Sequence, residues 1–78
     1  MIPKKDLFHG LWYVGESRST KIAMWNGGKK VFVFLREKFG QVFLEELPHE
    51  EDFDGKYDAF KPLKRLSELI DVYLNSSY

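Results

Sequence analysis

Apolar and polar residues alternate in short runs along the first half of the chain, and glycines break those runs at regular intervals. Gly15, the Gly27-Gly28 pair and Gly40 stand about twelve residues apart, the cadence of consecutive strands joined by turns. The pattern predicts strands over about residues 11–16, 20–25, 30–36 and 41–46. Asn26-Gly27-Gly28 is the strongest turn signal, because asparagine and glycine tolerate the positive φ that a tight hairpin needs. After Pro62 the period changes, and Leu63, Leu66, Leu69, Ile70, Tyr73 and Leu74 recur at three- and four-residue steps. This predicts an amphipathic helix over about 62–74, with the proline in its first turn, where a missing N–H costs nothing. Lys64, Arg65, Glu68 and Asp71 mark its solvated side, and residues 75–78 are expected to fray. Residues 47–61 form a long connection with Phe53, Tyr57 and Phe60 as apolar anchors.

Successive strand residues point to opposite faces, so a choice of turns sorts the side chains. A two-residue turn at Gly27-Gly28 sets Met24 opposite Val31 and Ile22 opposite Val33. A turn through Lys38-Phe39 sets Leu35 opposite Val42 and Val33 opposite Leu44, and a loop at Ser17–Ser19 places Trp12 and Val14 beside Met24 and Ile22. One face then carries an aliphatic surface of the kind a helix covers. The expected fold is α+β: a four-stranded antiparallel β-meander with the C-terminal helix packed on its aliphatic face, in one domain over residues 1–78. The alternative is that the sheet curls into a small SH3-like barrel.

The other face carries Leu11, Tyr13, Ala23, Trp25, Phe32, Phe34 and Phe43, with Lys21, Lys30, Arg36 and Glu45 among them. One helix covers one face, so a second, aromatic face is curled inward, sheltered by the connection, or used to bind. If it binds, the expected partner is another protein chain or a second copy of this one. Tyr13, Trp25, Phe32, Phe34 and Phe43 would be the anchors, with Arg18 and Arg36 at the edge. The alternative is weak binding of single-stranded nucleic acid, bases stacking on the same aromatics while Lys21, Lys29, Lys30 and Arg36 take phosphates.

Charge sharpens this only slightly. Formal net charge is zero, yet residues 1–41 hold eight bases and three acids while residues 42–78 hold four bases and nine acids. A basic first half suits phosphate contacts, but dedicated nucleic-acid binders are basic overall. Hydrophobic residues make up 44% of the chain and charged residues 31%, a globular composition, and the 17% aromatic share supplies core area where disulfides are lacking.

Catalytic signals are absent from the pattern. No GxSxG, GxGxxG or GxxxxGK motif occurs, and the neighbouring Glu45 and Glu46 point to opposite faces of a strand. The polar turn Ser17–Thr20 offers donors for an anion but reads as a hairpin loop. The acidic run His49–Gly55 fails the ligand spacing of a calcium loop, and with no cysteine there is no thiolate chemistry. The expectation is a protein that is not an enzyme and takes no metal or cofactor. The charged N-terminus does not resemble a secretory signal, and the longest apolar run, Val31–Leu35, is too short to span a bilayer, so a cytoplasmic location is expected.

Overall fold

The glycine-punctuated half forms four antiparallel strands in a computed structural model that describes residues 1–76. They are β1 (Trp12–Glu16), β2 (Ile22–Asn26), β3 (Val31–Lys38) and β4 (Gln41–Leu47). A fifth strand, β5 (Lys61–Arg65), lies antiparallel to β1 and closes the order β4-β3-β2-β1-β5 in one open sheet, not a barrel. Helix α1 (Leu66–Ser76) follows β5 without a loop. The α+β class, the meander and the C-terminal helix are therefore present as expected, with one strand more.

The first hairpin has the expected register, Trp12 facing Met24 and Val14 facing Ile22. The next two are shifted by two residues. Met24 faces Val33 because the β2–β3 turn takes four residues, Gly27 to Lys30. Leu35 faces Leu44 because the β3–β4 turn is Phe39-Gly40, with φ of 53° and 77°. A shift of two keeps every side chain on its face, so the division into aromatic and aliphatic surfaces survives.

Strand β5 occupies residues that resemble a helix start. Pro62 lacks an N–H for a ladder, and an edge strand tolerates that as readily as a helical first turn does. The strand docks against β1 with a bulge between Val14 and Gly15. A Cβ at Gly15 would overlap the Lys61 carbonyl oxygen and reach within 3.0 Å of Phe60 Cζ, so only glycine lets the backbones approach this closely. The helix starts four residues later than predicted and runs to Ser76, whose hydroxyl donates to the Tyr73 carbonyl at 3.0 Å. Residues 75 and 76 are thus helical rather than frayed, and residues 77 and 78 lie outside those described.

The core lies on the aromatic face. Tyr13, Ala23, Trp25, Phe32, Phe34, Leu47 and Phe60 form one buried cluster, with Ile2 and Leu7 packed against it. Rings meet at tilted and edge-on angles, Trp25 to Phe32 at 4.8 Å and Phe32 to Phe60 at 4.6 Å between centroids. The cover comes from both ends of the long connection and from the N-terminal segment. Ile2 N–H donates to the Pro62 carbonyl at 2.9 Å, and Phe60 N–H donates to the Pro48 carbonyl at 2.9 Å. His49 is fully buried against the Phe32 ring. Its Nδ1 accepts from Glu51 N–H at 2.9 Å, which leaves the hydrogen on Nε2 to donate to the Ile2 carbonyl at 2.9 Å. Of the anchors expected in the connection, Phe60 reaches the core, whereas Phe53 and Tyr57 remain exposed.

The helix covers less of the sheet than its apolar stripe predicts. It packs against β1 and β5, and none of its described residues is buried. The aliphatic surface over β3 and β4 stays open, correcting the expectation that α1 lies across it. The reason is connectivity: a helix that leaves β5 directly stays at that side of the sheet, with β1 and β2 between β5 and β3.

Candidate functional site

The residues expected to form a docking surface are split between core and surface. Phe32 is 0% exposed, Trp25 3%, and Tyr13 and Phe34 are likewise buried. Burying each is worth about 1.5–3 kcal/mol, so they hold the fold together and their ring faces are closed to a partner chain or a stacking base. This corrects their reading as anchors. The physical reason is that the N-terminal segment and the long connection, which periodicity along a strand does not register, shelter the aromatic face.

Arg36 and Phe43 remain at the rim as a cross-strand pair. The Arg36 guanidinium lies 5.6 Å from the Phe34 ring centre, and its Nε is 2.9 Å from Glu45 Oε2. Arg18 sits on the β1–β2 loop, whose backbone is anchored by Asp58. The lysines do not converge. Lys21 precedes β2 beside Arg18, Glu16 and Lys61, whereas Lys29 and Lys30 lie in the turn beyond its other end, with Lys29 3.5 Å from Glu46. A continuous basic track alongside stacked aromatics is thus not formed among the described residues.

What the molecule presents instead is its other face. Leu35 is 60% exposed and Leu44 70%, and Trp12, Ile22 and Val42 are also exposed. On β3, Leu35 to Lys38 pair with β4 alone, so the end of this hairpin projects as a two-stranded ribbon. Such a ribbon is marginal in water unless its apolar side packs against something. Strand β4 is also an edge strand, with no neighbour on its far side to shield Val42 and Leu44. At the opposite side of the sheet the helix leaves Leu69, Ile70 and Leu74 exposed. Between helix and β1 runs a groove of about 260 Å3, lined by Leu11, Trp12, Leu66 and Ile70.

Comparison with known proteins supplies no relative. No family model matches the chain, and no curated protein or solved structure matches it.

Bulk geometry shows an open molecule. A folded monomer of 9.2 kDa exposes about 4,900 Å2 by the usual scaling of surface with mass. This chain exposes 5714 Å2, an excess of about 800 Å2, which matches one partner's share of a standard protein interface. Its radius of gyration is 13.4 Å, against about 11.5 Å for a compact domain of this length. Among the described residues no cluster of three or more His, Asp or Glu is placed to hold a metal ion, and no helix is long and apolar enough to cross a membrane.

Proposed function

We propose that the chain is a non-enzymatic interaction module that associates with a second copy of itself through the aliphatic face of its sheet. The observation that carries this reading is the exposure of Leu35, Val42 and Leu44 on a projecting hairpin, together with an uncovered helix stripe at the far side of the sheet. Monomers rarely leave apolar patches of this extent in water. The two surfaces are the two halves of a helix-on-sheet layer that one chain cannot close on itself. A twofold axis closes it, setting Leu69, Ile70 and Leu74 of each copy on Leu35, Val42 and Leu44 of the other, because an isologous contact uses both surfaces twice. A foreign chain would need to bring both surfaces; a second copy already has them.

Sedimentation across a concentration series tests the reading. The mass should rise from about one to two chains as concentration increases. Leu44→Lys should hold the protein at one chain while leaving its melting temperature in dilute solution nearly unchanged, since Leu44 supports no core contact. A strict monomer at every concentration, or a Leu44→Lys variant that dimerises like the parent, contradicts the proposal.

A further inference from the structure

A second site lies on the other side of the molecule, where the N-terminal segment passes the β2–β3 turn. A cleft of about 530 Å3 opens there, lined by Lys4, Lys5, Leu7, His9, Trp25, Gly27 and Lys30. Its lining holds three ammonium groups and no carboxylate. Lys4 is held in place by Asp52, donating to both carboxylate oxygens at 2.9 Å, which offsets part of its charge. Lys5 and Lys30 make no ion pair among the described residues.

Two neutral donors complete the cleft. Gly27 N–H donates to His9 Nδ1 at 2.9 Å, so the imidazole carries its hydrogen on Nε2, on the side away from the turn. The Trp25 side chain is 97% withdrawn from solvent, yet its indole N–H has no hydrogen-bond partner among the described residues. A buried indole N–H ordinarily finds one. The atom is not sealed either, since the only sealed polar side-chain atom described without a hydrogen bond is Arg36 Nε, which faces Glu45 as an ion pair. It therefore retains access to the cleft that its own side chain lines.

The adjoining turn has a defined shape. Asn26 Oδ1 accepts from the N–H groups of Gly28 and Lys29 at 3.0 and 3.1 Å, and Lys30 is forced to a φ of 59°. That left-handed conformation lets Lys30 N–H close the turn onto the Asn26 carbonyl at 2.7 Å. Gly27 does not have positive φ, so its lack of a side chain is not required by backbone conformation. A Cβ there would come within 3.5 Å of Trp25 Nε1 and 3.3 Å of His9 Cβ, narrowing the approach to both donors.

We propose that this cleft binds a phosphate monoester, its phosphate oxygens accepting from the Trp25 indole N–H, the His9 Nε2–H and the ammonium groups of Lys4, Lys5 and Lys30. Polar side chains that only donate select a ligand rich in acceptors, and several cations select one with more than a single negative charge. The cleft falls in the size range of small-molecule sites, about 300–1,000 Å3, so it has room for an organic body beyond the phosphate.

The chain has two tryptophans, Trp12 and Trp25, so an indole N–H spectrum holds one reporter at the cleft and one control on the opposite face. Titration with ribose 5-phosphate should move the Trp25 indole signal saturably and leave Trp12 in place. Inorganic phosphate should act on the same signal more weakly, and ribose should not act. Lys30→Gly relieves the left-handed backbone and should raise the melting temperature while weakening binding about three- to tenfold. Gly27→Ala should weaken it as well, with the fold retained. The proposal is overturned if the Trp25 signal is insensitive to both phosphates, if both indoles move alike, if ribose moves the Trp25 signal as far as ribose 5-phosphate does, or if the stabilised Lys30→Gly protein binds as tightly as the parent.

Discussion

Two residues show how closely backbone geometry constrains this chain. Gly15 lies where β5 crosses against the bulge in β1, and any side chain there meets the Lys61 carbonyl. Gly15→Ala should therefore destabilise the protein by about 2–4 kcal/mol, read as a shift in the denaturant midpoint with little change in slope. Phe39 is the opposite case. It stands at the tip of the β3–β4 hairpin with a φ of 53° and is 103% exposed, so it carries left-handed strain and buries nothing. Phe39→Asn would give the Asn-Gly pair that such turns prefer and should stabilise by about 0.5–1 kcal/mol in thermal unfolding. The glycine pattern pointed to the turn beside Gly40. Nothing local distinguished Gly15, whose constraint comes from a strand forty-six residues away in the chain.

At the scale of elements, the hairpins were readable and their cover was not. Alternation and turn residues act within a few positions, and an error of two in register leaves every face intact, which is why the aromatic and aliphatic sides were sorted correctly. Strand β5 was misread because Lys61–Arg65 satisfies two local rules at once, proline in a helical first turn and proline on a sheet edge. Only contact with β1 decides between them. The same limit applied to Trp25, Phe32 and Phe34, which resemble a binding surface in sequence and become core once His49, Phe60 and Ile2 close over them. Asp58 ties this cover to the first hairpin, accepting from the N–H groups of Arg18, Ser19 and Ala59 at 3.0, 2.8 and 2.9 Å. Burial tends to raise its pKa, but these hydrogen bonds outweigh it and hold the carboxyl below its ordinary value. A carboxyl lowered in the folded state stabilises fully at pH above the ordinary aspartate range. That stability is lost as pH falls through the lowered folded value. Asp58→Asn should thus cost about 1–2 kcal/mol at neutral pH and flatten the acid limb of a stability–pH curve.

For the whole molecule, the layer arrangement is the decisive feature. A sheet with both faces apolar needs two covers. The N-terminal segment and the 48–60 connection supply one, while the helix, leaving β5 at one edge, supplies only the margin of the other. The projecting β3–β4 ribbon and the uncovered helix stripe are two views of that single deficit. A second copy remedies it without any new element. Isotope-filtered nuclear Overhauser spectroscopy on a mixture of labelled and unlabelled chains tests this most directly. Cross-peaks between Leu35, Val42 or Leu44 of one copy and Leu69, Ile70 or Leu74 of the other are the predicted result. A concentrated sample with no intermolecular cross-peaks, or with cross-peaks confined to other surfaces, would contradict it.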